Sequence, residues 1–201
     1  NVQPLTVNFA FGNLALAHNG NLINAQVLRN ELEAYGAIFQ STSDSEVNIH
    51  LMAHSRADTL LARIIDALSQ VRGAFSVVLL TDDGIIAARD PYGFRPLSLG
   101  RLRDTYLVAS ETCAFDLLDA EIVREIEPGE LVVLNEQGVT SYKPFAPVQP
   151  AMCVFEYVYF ARPDSKIFGA NAVYATRKAL GRQLAQESWV PADVVIPVPD
   201  S

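Results

Sequence analysis

A change of hydrophobic period at Gly73 restricts the fold more than any other feature of this chain. From Thr59 to Val71 the apolar residues Leu60, Leu61, Ile64, Ile65, Leu68 and Val71 share one face at helical spacing. Beyond Gly73 the pattern shortens to strand length. Ala74–Thr81 and Ile85–Arg89 read as two strands joined by Asp82-Asp83-Gly84. Thr105–Ala109, Ile122–Ile126, Leu131–Leu134 and Val139–Tyr142 continue the series, with turns at Glu127-Pro128-Gly129 and Glu136-Gln137-Gly138. Helices followed by a run of antiparallel strands predict an α+β domain.

The upstream part fits that layout. Leu14–His18 reads as a buried strand meeting Asn19-Gly20, a tight-turn signal. Asn24 is placed to cap a helix reaching Tyr35 and ended by Gly36, with Val27, Leu28 and Leu32 on one face. Ser43 and Glu46 have capping-box spacing, and a helix to about His54 follows.

Downstream the character changes. Lys143–Pro150 carries Pro144, Pro147 and Pro150, a composition expected of an interdomain linker. Asn171–Ser188 reads as a helix and Val194–Val198 as an all-apolar strand, the rhythm of a parallel α/β sheet. The expected division is 1–145 for the first domain and 146–201 for the linker and the beginning of a second. The chain starts without Met and stops just after an apolar run, so it is expected to be an internal piece of a longer protein.

Composition removes several function classes. Half of the 201 residues are hydrophobic and 19% are charged, which excludes a disordered chain. The net charge of −8 gives no overall pull toward nucleic acid or an anionic membrane. No apolar run approaches the roughly 20 residues of a membrane span. Cys113 and Cys153 are the only cysteines, too few for a disulfide framework, and the cytoplasm is the expected compartment.

Five stretches invite a chemical reading. Asn19-Gly20 is a hairpin turn on the simplest view. The same pair can also present a side-chain amide and a backbone N–H to one point, as an oxyanion requires. His18 beside it reads as a satisfied structural histidine. Asp44 either complements a helix dipole or grips a substrate ammonium group. Arg89–Leu97, dense in turn formers, reads as a rigid loop in which two arginines face Asp90. Glu156–Ser165 reads as a strand and a turn. Pro197–Ser201 puts an acid and a hydroxyl past a buried strand, where open α/β sheets bind ligands. His50 and His54 with Glu46 read as a solvated helix face, and Cys113 lacks the basic surroundings of a reactive thiol.

Together these motifs resemble the glutamine phosphoribosylpyrophosphate amidotransferases. The matching stretches are Asn1–Pro4, Leu16–Leu22, Ser43–Glu46, Arg89–Leu97, Ala109–Thr112, Glu127–Glu130, Phe155–Ser165 and Val198–Ser201, in that family's order. The resemblance implies an N-terminal-nucleophile (Ntn) glutaminase domain with an αββα sandwich, then the start of a type I phosphoribosyltransferase domain. It implies Asn19 and Gly20 as oxyanion donors and Asp44 as the holder of the glutamine amino group. Ser201 would lie at the Mg²⁺–phosphoribosylpyrophosphate site. In members with a 4Fe-4S cluster, a cysteine at the position of Cys153 is one ligand. The nucleophilic Cys would lie upstream of Asn1 and the phosphate loop beyond Ser201, so these residues would identify the enzyme without performing either half-reaction. The family also suggests a homotetramer. A glucosamine-6-phosphate synthase and a non-catalytic glutaminase-like binding module are the competing expectations.

Overall fold

The computed structural model describes residues 2–169 and 171–196. Its frame is a six-stranded antiparallel sheet built from β1 (Leu5–Phe9), β2 (Gly12–Leu22), β3 (Gly73–Thr81), β4 (Gly84–Arg89), β8 (Leu131–Asn135) and β9 (Gly138–Tyr142), in the order β1-β2-β3-β4-β8-β9. Leu14, Leu16 and Leu22 alternate along β2 toward one face, where they meet the helices. Those helices are α1 (Ala25–Ala34), α2 (Ser45–His54) and α3 (Leu60–Gln70). Leu28, Leu32, Val47, Leu51, Met52, Ile64 and Leu68 close the layer over Phe75, Val77 and Leu79 of β3. Each such side chain taken fully from water contributes about 1.5–3 kcal/mol.

The other face of the large sheet meets a three-stranded sheet, β6-β5-β7, made of β5 (Ser98–Leu102), β6 (Thr105–Ala109) and β7 (Glu121–Glu125). Ala87, Val132 and Leu134 pack there against Leu97, Leu99 and Ile126. Outside the small sheet lies one short helix, α4 (Cys113–Asp116). Its Phe115 is fully buried against Gly100, where an added Cβ would stand 2.7 Å from the ring. The layers are therefore α, β, β and a reduced α.

Beyond β9 the chain stays attached to this body. Phe145, inside the proline-rich stretch, packs edge-on to Phe75. Ala151 and Cys153 donate their N–H groups to the carbonyls of Tyr92 and Phe94. One wide turn of π-helix spans Glu156–Phe160. The two-residue strands β10 (Lys166–Ile167) and β11 (Asn171–Ala172) follow, then α5 (Val173–Glu187).

Several expectations change. Asn19-Gly20 is not a turn: β2 continues through it, with Asn19 opposite Ser76 and Gly20 opposite Phe75. Glycine is needed there because a Cβ would lie 2.0 Å from the Ala74 carbonyl oxygen. Val27 is exposed while Leu28 and Leu32 are buried. The Ser43–Glu46 box is open: the Glu46 carboxylate reaches past Ser43 to accept from the N–H groups of Gln40 and Ser41, both at 2.7 Å. Glu156–Phe160 is helical rather than extended, because Ala161 N–H bonds back to the Glu156 carbonyl. Residues 194–196 are exposed and outside any strand, and the rest of the expected strand lies outside the described residues. β1 and β5 were not anticipated.

Candidate functional site

Asn19 sits on the face of β2 opposite to His18 and Leu16. His18 is buried and points to the helices, its Nδ1 2.9 Å from Ser45 Oγ and its Nε2 3.4 Å from the Ala74 carbonyl. A carbonyl can only accept, so Nε2 carries a proton toward it, while Ser45 Oγ stands between Nδ1 and Asp44 Oδ1. Burial lowers its pKa below the ordinary value, against the pull of nearby Asp44. His18 is thus a buried histidine with a polar partner at each ring nitrogen. Gln3 clamps the same residue from outside: its Nε2 donates to the His18 carbonyl at 3.0 Å and its Oε1 accepts the His18 N–H.

Asn19 lies in a polar cluster. Its Nδ2 donates to Ser110 Oγ at 3.2 Å, and its Oδ1 accepts from Arg95 Nε at 3.2 Å and a terminal guanidinium nitrogen at 2.8 Å. The other terminal nitrogen of Arg95 stands 2.9 Å from Glu156 Oε1. That contact is an ion pair by distance, but its angle is too poor to satisfy Oε1 as a hydrogen-bond acceptor. Burial raises the Glu156 pKa, with the Arg95 charge opposing it. The Phe160 ring lies 4.6 Å beneath the guanidinium carbon.

Arg95 is delivered by the loop after β4, which is tied down by hydrogen bonds to buried Arg89 and Asp90. Asp90 is fully buried and accepts the backbone N–H groups of Phe75, Tyr92 and Phe94. The two arginines do not pair with it. Arg89 donates to the carbonyls of Arg95, Ile126 and Gly93, and Arg95 turns to Asn19 and Glu156.

Asp44 precedes α2. Its Oδ2 accepts the Leu22 N–H at 2.8 Å and its Oδ1 accepts from Ser45 Oγ at 3.3 Å. The acid in the first helical turn is Glu46, so the dipole role falls to that residue. Asp44 ties the end of β2 to α2, two residues beyond Gly20, and borders a surface pocket of about 240 Å³ shared with Gln26, Arg29 and Ser43. The structure therefore places Asn19, Gly20 and Asp44 along one stretch of β2 and its helix contact. Glu46 is buried and His54 exposed, so the three do not form a solvated face.

The remaining candidates fall elsewhere. Ser201 lies outside the described residues. Cys153 is half-buried, and no group of three or more metal-ligating side chains stands together among the described residues. At this position the described residues therefore offer a single cysteine, Cys153, toward a 4Fe-4S cluster. Cys113 is buried, with Glu111 as neighbour.

Sequence reasoning missed the fastening of residues 156–172 to the sandwich. Glu111 accepts from the Arg162 N–H at 2.7 Å and Ser165 Oγ at 2.6 Å, and Thr112 Oγ1 accepts from the Lys166 N–H. Glu125 accepts the N–H groups of Phe168 and Gly169. The only hint was that Ser110–Thr112 and Arg162–Ser165 are polar stretches, and nothing in one dimension pairs them.

Two facing antiparallel sheets under a helical layer, with an Asn-Gly pair inside one strand, form the Ntn sandwich of class II glutaminases. The chain belongs to the glutamine amidotransferase domain family, whose model matches residues 1–116. Over its whole length it is 50% identical to the amidophosphoribosyltransferase of Bacillus subtilis and 48% identical to amidophosphoribosyltransferase 1, chloroplastic, of Arabidopsis thaliana. It spans 42% and 36% of those proteins, less than half of each. The solved glutamine phosphoribosylpyrophosphate amidotransferase from B. subtilis, complexed with ADP and GMP, superposes with a TM-score of 0.94, covering 100% of this chain and 44% of that one.

Proposed function

We propose that the protein carrying this chain is an amidophosphoribosyltransferase. It hydrolyses glutamine to glutamate and ammonia at an N-terminal Cys upstream of Asn1. The ammonia then displaces pyrophosphate from phosphoribosylpyrophosphate, giving 5-phosphoribosylamine. The observation that carries this reading is identity of 50% sustained over the full chain, beyond the 116 residues of the glutaminase match.

In this reading residues 1–145 are the glutaminase domain and 146–201 begin the transferase domain. Asn19 Nδ2 and the Gly20 N–H stabilise the oxyanion formed when the thiolate attacks the glutamine amide. Two hydrogens on Nδ2 support this role: Ser110 takes one and the other remains for substrate. Asp44 holds the glutamine ammonium group. Mg²⁺ enters with phosphoribosylpyrophosphate where the resemblance puts Ser201, and Cys153 is a cluster ligand if the protein carries one. The enzyme works as a homo-oligomer, a tetramer on the family pattern, in the cytoplasm. Among the described residues no helix is long and apolar enough to cross a membrane.

The test is ammonia release from glutamine by the complete protein, with phosphoribosylamine formation on adding phosphoribosylpyrophosphate. Asn19→Ala is expected to lower kcat by roughly 10²-fold or more, and Asp44→Asn to raise the KM for glutamine. Glucosamine 6-phosphate formation from fructose 6-phosphate would favour the synthase instead. Absence of any ammonia release would favour a binding module.

A further inference from the structure

An asparagine can serve an oxyanion only in one of its two amide orientations. Turned by 180° about Cβ–Cγ, it offers a carbonyl oxygen where an N–H is needed. The neighbours of Asn19 decide between these orientations unequally. Ser110 Oγ can donate or accept, so it tolerates both. Arg95 cannot, because a guanidinium has only donors. Its two N–H groups reach one atom of Asn19, and only Oδ1 can receive them. Arg95 therefore sets the direction in which Nδ2 points. The same contact places a cation on Oδ1, which polarises the amide and makes its N–H groups better donors.

Arg95 is itself held on every side. Glu156 faces the nitrogen that Asn19 does not use, Phe160 lies beneath the guanidinium, and the Arg95 carbonyl accepts from buried Arg89. Glu156 and Phe160 belong to the π-helical turn, which lies outside the residues matched by the glutaminase family.

We propose that Arg95 is the positioning residue of the glutaminase reaction, locking the Asn19 amide with Nδ2 toward the reacting oxygen, and that Glu156 holds Arg95 in that pose. This rests on the reading of Asn19 given under Proposed function. Arg95 touches no substrate; it acts through Asn19. Its effect falls on the transition state, where the oxyanion exists, so it belongs in kcat and not in the KM for glutamine.

A double-mutant cycle on the complete protein tests this, read as glutaminase kcat and KM. Arg95→Met is expected to lower kcat by roughly tenfold or more with KM unchanged. In an Asn19→Ala background the same change is expected to cost less than about threefold, because the amide it orients is gone. Arg95→Lys, which keeps a donor-only cation, is expected to recover part of the loss. Glu156→Gln is expected to lower kcat in the same direction by a smaller factor. Should Arg95→Met fail to fold, Arg95→Lys and Glu156→Gln carry the same cycle against Asn19→Ala.

Equal losses from Arg95 changes in both backgrounds, or a raised KM at unchanged kcat, would overturn the proposal while leaving Asn19 as a donor. An Asn19→Ala protein with undiminished kcat would instead remove Asn19 from the oxyanion site, and this proposal with it.

Discussion

Gly20→Ala separates two physical accounts of the Asn19-Gly20 pair. A Cβ at residue 20 would lie 2.0 Å from the Ala74 oxygen, 2.6 Å from His18 Nε2 and 2.8 Å from the Ala74 carbonyl carbon. Ordinary carbon–oxygen contact needs about 3.3 Å. Relief therefore requires β2 and β3 to part by roughly 1 Å, and the obstacle is backbone within the nine-pair β2–β3 ladder, at the third pair from its end. Ladder bonds do not survive such a stretch. Two of them at about 1 kcal/mol each, added to an overpacking cost of about 1–3 kcal/mol, give roughly 3–5 kcal/mol. For a chain of this size that is about 10 °C in Tm. The assay is urea or thermal unfolding of the complete protein, with Gly20→Asn measured beside it. Asparagine is accepted in hairpin turns, so a turn would tolerate Gly20→Asn at small cost. A close-approach glycine tolerates neither change. If both variants unfold within about 0.5 kcal/mol of the parent, the close-approach account is wrong.

Three other outcomes are expected. Thr59→Ala removes the hydroxyl that accepts the Ala62 N–H at the start of α3 and should lower stability by about 1 kcal/mol in urea unfolding. His18 has its pKa lowered by burial, so the folded state takes up its proton less readily than the unfolded one. Its contribution is complete above about pH 6.5 and falls as the pH drops. His18→Asn should flatten the part of the stability profile that falls just below about pH 6.5, while the carboxylate-driven loss at lower pH remains. Glu130→Ala removes a buried acceptor that serves both Arg124 terminal nitrogens, Ser141 Oγ and the Glu127 N–H, at a cost of about 3 kcal/mol; equilibrium unfolding at pH 7 measures it.

Much of the fold was legible because local period and tertiary burial agree. α3 begins at the Thr59 cap and ends near Val71, and its apolar face is the buried one. The strands at 73–81, 84–89 and 131–135 lie where the apolar runs are. β5 was illegible because Gly100 and Arg101 interrupt its apolar pattern, and Gly100 is there for the Phe115 ring. The turn reading of Asn19-Gly20 failed for the same reason: a glycine selected by a neighbour's backbone looks, in one dimension, like a glycine selected by a turn. The π-turn at Glu156–Phe160 was read as extended because aromatic runs favour strands, while contacts of Glu156 and Phe160 with Arg95 favour the helical form.

The sequence alone determined the α+β class and most helices and strands, and it put forward Asn19, Gly20 and Asp44 as candidates for the site. Motif order carries that information, and periodicity reports burial wherever an element packs by its own stripe. Only the tertiary structure decided what each residue faces. It put Asn19 and His18 on opposite sides of one strand. It turned Arg95 away from neighbouring Asp90 and onto Asn19, 76 residues upstream, and it brought Glu156 to the same guanidinium. These contacts depend on the pleat of β2, the course of a loop and the docking of a distant segment. Each is a long-range choice among donors and acceptors that local sequence does not encode.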